Sequence, residues 1–156
     1  MRKANYDKFP STKLTGMLVQ GWDSIISMLK KKMDARKVLA VDLYTGVYEE
    51  EVLDAFSKEF SGRVMNVRDL MKPEKEIQTL TERFMTEDVL FGYVTNLKLE
   101  DYLDADKVAA ARKQISEAKE TIVIIGTGAA VVAPQDAMVV YADMARWEIQ
   151  QRFRRH

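Results

Sequence analysis

Four short stretches with strand character constrain this chain more than any other feature of it. They are Val38-Leu39-Ala40-Val41, Val64-Met65-Asn66-Val67, Ile122-Val123-Ile124-Ile125 and Met138-Val139-Val140-Tyr141-Ala142. Val38–Val41, Ile122–Ile125 and Met138–Ala142 are apolar at successive positions, so both faces of such a strand need cover. The sequence between them supplies that cover at helical spacing. Trp22, Ile25, Ile26, Leu29 and Met33 predict a helix over 22–33. Tyr48, Val52, Leu53, Phe56 and Phe60 form a second face, and Ile77, Leu80 and Phe84 a third. Val108, Ala111, Ile115 and Ala118 form a fourth, and Ala145, Ile149 and Phe153 a last one. Strands alternating with helices predict a three-layer α/β/α fold around a mainly parallel sheet.

Local signals place the ends of these elements. Gly62 stands where the second helix would be capped, and Pro73 suits the first turn of the third. Asp104 and Asp143 are candidate N-caps for the helices that follow them, and Thr45 for the second helix. Met138–Ala142 is expected to be a buried strand. Residues 86–100 read as either strand or irregular chain, with Val89-Leu90-Phe91 and Tyr93-Val94 as the ambiguous part. Residues 1–21 read as an N-terminal arm and 22–156 as one α/β domain. The last amphipathic helix runs to the final residue without a terminating Gly or Pro, so a longer parent protein is expected.

Composition removes several chemistries. The chain has no cysteine, and its single histidine is His156. Disulfides, thiolate or histidine-rich metal sites, a Cys nucleophile and an internal Ser-His-Asp triad are thereby excluded. Lys+Arg and Asp+Glu are 24 each, so the basic excess of a nucleic-acid binder is missing. Lys30-Lys31-Lys32 reads as a solvated helix end, where cations suit the helix dipole. Trp22 and Trp147 read as packing residues. No apolar run is long enough to span a membrane, and no secretory signal opens the sequence, so a cytoplasmic protein is expected.

In a parallel sheet, ligands bind at the carboxyl ends of the strands. The segments to weigh are therefore 42–46, 68–71 and 126–128. A phosphate loop after the first strand needs several glycines, a lysine and a Ser or Thr. Asp42-Leu43-Tyr44-Thr45-Gly46-Val47-Tyr48 has one glycine and no basic residue, and Glu49-Glu50-Glu51 follows at once. Asp42, Tyr44, Thr45 and Gly46 are thus candidates for a modified ligand or anion site, with a structural turn as the plainer alternative. Gly126-Thr127-Gly128 superficially resembles a dinucleotide fingerprint, but lacks the third glycine and lies late in the chain. Close backbone packing is its plainer account. Arg68 and Asp69 follow the second strand: Asp69 is the weak catalytic candidate, with a surface ion pair between the two as its alternative. Arg152 and Arg155, in the Arg152-Phe153-Arg154-Arg155 run, could clamp a phosphate. No metal ligands are identified.

The order of these pieces resembles the P-loop nucleoside and uridine kinases over residues 38–155, and Val139-Val140-Tyr141-Ala142-Asp143 followed by the terminal arginines carries most of the likeness. That resemblance implies a kinase-like topology, with Asp69 as the hydroxyl-activating or magnesium-linked carboxylate and Arg152 and Arg155 as a lid. The missing lysine and glycine cradle imply a degenerate phosphate loop. Three phrases are also similar to the front part of bacterial class I mannose-6-phosphate isomerases. They are Tyr6-Asp7-Lys8-Phe9-Pro10, Val41–Tyr48 and Ala142-Asp143-Met144-Ala145-Arg146-Trp147-Glu148. In that family the isomerase chemistry belongs to a zinc-bearing cupin barrel, for which this chain has neither the pattern nor the ligands. The resemblance implies a non-catalytic, kinase-like domain with a ligand-sensing, regulatory or assembly role beside a C-terminal cupin isomerase module. Zinc would belong to that module. A small phosphorylated ligand and a homo-oligomer are the further partners it allows, with no nucleic acid and no membrane. The alternatives are an atypical nucleoside or sugar kinase, which would need magnesium, and a purely structural interaction domain.

Overall fold

A computed structural model describes residues 10–13, 15–88 and 91–155. Tyr6, Asp7, Lys8, Phe9, Val89, Leu90 and His156, named above, lie outside the described residues. The order is α1 (Trp22–Met33), β1 (Val38–Leu43), α2 (Glu49–Glu59), β2 (Arg63–Asn66), α3 (Glu74–Glu82), α4 (Ala105–Glu117), β3 (Ile122–Gly126), α5 (Ala129–Val132), β4 (Met138–Ala142) and α6 (Arg146–Phe153). The four strands form one parallel sheet in the order β2-β3-β1-β4. The three-layer α/β/α arrangement is what the alternating pattern predicts.

Side-chain alternation along the central strands divides the core. Leu39, Val41 and Leu43 of β1, with Val123 and Ile125 of β3, pack against Ile26, Leu29 and Met33 of α1 and Val52 and Phe56 of α2. Val38 and Ala40, with Ile122 and Ile124, pack on the other face against Val108, Ala111 and Ile115 of α4 and Ala129 and Val132 of α5. Every residue of β3 is buried, as expected for the inner strand of a doubly covered sheet. Phe56 anchors the first layer, stacked at 5.5 Å on Phe60 and edge-on at 6.3 Å to Trp22. Lys30 donates to the Glu59 carbonyl and pairs with its carboxylate, tying the basic end of α1 to the end of α2.

Several end signals act as anticipated. The Asp104 carboxylate accepts from the backbone N–H groups of Asp106 and Lys107 at 3.0 Å and starts α4. Pro73 sits at the entrance to α3. Residues 91–98 contain no strand.

Others are corrected. Tyr48 is the N-cap of α2 without a side-chain hydrogen bond, so Thr45 does not cap it. Ala145 holds that position for α6, while Asp143, among the described residues, accepts only from the N–H of Met144. Phe60, in extended conformation, ends α2. Gly62 instead lets the chain pass β3: a Cβ there would lie 1.9 Å from the Thr121 carbonyl oxygen. β4 is an edge strand whose Val139 and Tyr141 stay exposed, so it is not fully buried. Phe153 and Trp147 are exposed too, so neither packs into the core.

A strand-end crevice closed by Asp42 and the last helix

The helix after β1 lies on one face of the sheet, and α5, after β3, lies on the other. β1 and β3 are neighbours, so their chains part at the carboxyl edge and leave a crevice, the usual ligand position of such a sheet.

The molecule's own groups occupy it. Asp42 stands opposite Gly126 in the register and sends its carboxylate across to α5. Oδ1 accepts from the Gly128 N–H at 3.1 Å, and Oδ2 from the Ala130 N–H at 2.9 Å. The Thr127 hydroxyl donates to the Leu43 carbonyl at 2.9 Å. Gly126 and Gly128 both have positive φ, and the backbone turn they allow brings these N–H groups to Asp42. Sequence reasoning placed Asp42 and Gly126–Gly128 on one edge. The structure shows them bonded to one another.

The last helix docks on the loop after β1 at Gly46, while Tyr44, Thr45 and Tyr48 stay exposed. Gly46 has φ +95°, and an added Cβ would meet Ile149 of α6 at 3.3 Å. Arg152 donates from Nη1 to the Gly46 carbonyl at 2.7 Å, lies 3.8 Å over the Tyr48 ring and pairs through Nε with Glu148 at 3.1 Å. Arg155 is exposed and makes no side-chain bond among the described residues. The two arginines therefore differ: one is a tether and the other is solvated. Replacing Arg152 with Ala is expected to cost about 1–2 kcal/mol, from a charged hydrogen bond and a cation–π contact. Arg155→Ala should stay within about 0.5 kcal/mol. Hydrogen exchange reads the difference directly: α6 amides should exchange faster in Arg152→Ala alone.

Arg68 and Asp69 do not pair. Arg68 reaches Glu49 at 3.3 Å, and the other Glu49 oxygen accepts from Asn66 at 2.7 Å. Asn66 in turn accepts from the Arg68 N–H, fixing the 3-10 turn Val67–Leu70. Asp69 is exposed and lines a 320 Å³ cleft between β2 and α4 with Lys107 and Arg63. It is not brought to the Asp42 crevice. Tyr44 and Thr45 line a separate groove of about 880 Å³ with Tyr141, Asp143, Arg146 and Ile149. The Tyr44 and Tyr141 rings meet edge-on at 6.3 Å. Partial desolvation, followed by the charges of Asp143 and the neighbouring Tyr44 and Asp42, raises the Tyr141 hydroxyl above the ordinary phenol range, so it is neutral at physiological pH.

A cavity of about 970 Å³ lies at the opposite, amino edge of the sheet, between the ends of α1, α4 and α5. Its rim carries Lys32, Asp34, Arg36, Lys37 and Asp136. Arg112 beside it donates to the carbonyls of Val131 and Val132 and closes α5. No motif marks this cavity in the sequence. Among the described residues, no group of three or more His, Cys, Asp or Glu could hold a metal ion. No helix among them is long and apolar enough to cross a membrane.

The crevice thus belongs to a parallel α/β domain whose strand-end anion position is taken by a carboxylate of its own. The chain belongs to the family described as "Domain of unknown function (DUF8485)", which it matches over residues 21–156. No curated protein and no solved structure matches it.

Proposed function

We propose that this is a non-catalytic α/β domain, kinase-like in layout, that serves regulation or assembly rather than phosphoryl transfer. One observation carries the proposal: Asp42 fills, with fixed negative charge, the position where the carboxyl edge would otherwise present N–H groups to an anion. A phosphate loop works by converging N–H groups and a lysine on phosphate. Here the loop after β1 has one glycine and no lysine, two N–H groups of the turn after β3 are spent on Asp42, and Arg152 of α6 holds the Gly46 carbonyl. Glu49–Glu51 adds repulsion for a polyphosphate in the first turn of α2. The sheet order supports the kinase-like layout, because it keeps the first strand inside the sheet with its loop on the carboxyl edge. The wording shared with mannose-6-phosphate isomerases supports a sugar-phosphate isomerase module as the neighbour this domain serves, in the cytoplasm.

Thermal denaturation with added ligands tests this. ATP or GTP with magnesium at about 1 mM is expected to leave the midpoint unchanged within about 1 °C. A ligand bound a hundredfold below its concentration would add about 2.7 kcal/mol and several degrees. A magnesium-dependent nucleotide shift, with turnover lost in Asp69→Ala, would overturn the proposal in favour of an atypical kinase. A shift with mannose 6-phosphate or fructose 6-phosphate alone would select ligand sensing among the non-catalytic roles.

A further inference from the structure

The amino edge of the sheet is built like a pocket. Its cavity of about 970 Å³ is of the size that holds a small organic molecule. The inner wall is apolar: Val38, Ile115, Ile122 and Val132 line it and are buried themselves. The rim is charged. Lys32, Arg36, Lys37 and Arg112 supply the cations, and Asp34, Glu120 and Asp136 the carboxylates. None of these groups is in an ion pair among the described residues.

The two signs are not equivalent. Lysine and arginine carry their charge on long apolar stems that can lie along an apolar wall and bring the head over it. Aspartate ends one carbon beyond its Cβ and has no such reach. All three carboxylates are exposed and keep their water. The Arg112 guanidinium is already anchored: Nη2 donates to the Val131 carbonyl at 2.7 Å and Nε to the Val132 carbonyl at 3.4 Å. Those bonds use two of its five N–H groups and leave the others to a ligand. A second feature marks the same place. The Arg36 N–H donates to the Met33 carbonyl at 2.9 Å, closing a turn whose first central residue is Asp34, at φ +50° and ψ −122°. Such a position ordinarily takes glycine. Asp34 is the one non-glycine residue with positive φ among the described residues. Backbone strain of this kind is concentrated at ligand clamps, and here it sets the path of Arg36 and Lys37 along the cavity rim.

We propose that this cavity binds an amphipathic organic anion, an apolar carboxylate whose body lies on Val38, Ile115, Ile122 and Val132 and whose head is held by Arg36, Lys37 and Arg112. Two guanidinium groups suit the planar fork of a carboxylate. The site is at the opposite edge from the Asp42 crevice and does not depend on how that crevice is read.

Calorimetric titration with laurate, and with dodecylammonium as the same chain bearing the opposite charge, tests this. Laurate is expected to bind with a dissociation constant on the order of 10 µM, ordinary for a ligand of its size. Dodecylammonium should bind at least about tenfold more weakly. Reversing two rim charges, in the double variant Arg36→Glu and Lys37→Glu, should weaken laurate by at least about tenfold while leaving the melting midpoint in place, since both side chains are exposed. Ala118→Trp, which fills the cavity from the end of α4, should abolish the titration. If that variant does not fold, the charge reversal still decides. No binding of laurate at about 1 mM, far above the expected constant, would overturn the proposal. Dodecylammonium binding as tightly as laurate would overturn it too, leaving an apolar cavity without charge selection. So would laurate affinity that is indifferent to the charge reversal, or that survives in folded Ala118→Trp.

Discussion

Replacing Asp42 with alanine is expected to destabilise the domain by about 3 kcal/mol. Its carboxylate accepts from Gly128 and Ala130, and hydrogen bonds to a charged group contribute about 1.5–3 kcal/mol each. The site is half-buried, so water can partly replace the lost acceptor, which places the total at the lower end of that sum. With a urea slope of about 2 kcal/mol per molar, the midpoint should fall by about 1.5 M. Asp42→Asn separates charge from geometry. It keeps one acceptor and turns an amide NH₂ toward the second N–H, so a loss of about 2 kcal/mol is expected. Equal midpoints for Asn and wild type would show that Asp42 is not a structural anion. Neither variant is expected to gain ATP hydrolysis, since removing Asp42 restores neither a lysine nor a glycine cradle.

The layers of this fold are legible in the sequence because they rest on local pattern. Ile122–Ile125 is apolar at every position, as an inner, doubly covered strand requires. α1 keeps a strict apolar spacing and occupies Trp22–Met33 as expected. Legibility ends where a residue's partner is distant. Met138–Ala142 is as apolar as an inner strand, and only the strand order reveals it as an edge. Arg68 and Asp69 are adjacent, yet the 3-10 turn parts them and Arg68 finds Glu49, which is 19 positions away. Arg152 meets Gly46 across 106 positions. No spacing rule reports such a contact. The caps divide the same way: Asp104 works because its carboxylate serves N–H groups two and three residues on, whereas α2 and α6 start without any side-chain cap. Contacts with α1 steady α2, through Phe56 against Trp22 and Trp22 donating to Glu51 at 3.0 Å. Docking on Gly46 steadies α6. Glu49 carries no motif, yet it ties the start of α2 to the end of β2.

The glycines of Gly126-Thr127-Gly128 are expected to respond unequally to the same change, and Gly126→Ala should be the more damaging by far. Gly126 has φ +135°, a backbone region essentially confined to glycine. A Cβ there would also stand 2.8 Å from the Val67 Cβ. Val67 is 1% exposed and sits at the start of the 3-10 turn, so it cannot swing away. Strain and overpacking together should cost about 3–4 kcal/mol. Gly128 is in the left-handed helical region at φ +87°, and its nearest neighbour would be Leu99 Cδ1 at 4.0 Å. Only the backbone term applies, so Gly128→Ala should cost about 1–2 kcal/mol. A double-mutant cycle isolates the steric part. Val67→Gly removes the Cβ that the added methyl would meet, so Gly126→Ala should cost at least about 1 kcal/mol less in that background. Additive losses would mean that the clash is relieved elsewhere and that Val67 does not set the path of this turn. The path matters because it aims the Gly128 and Ala130 N–H groups at Asp42. A chain forced off it by Gly126→Ala should lose part of the Asp42 contribution as well, so Asp42→Ala is expected to cost less in the Gly126→Ala background than in the native chain.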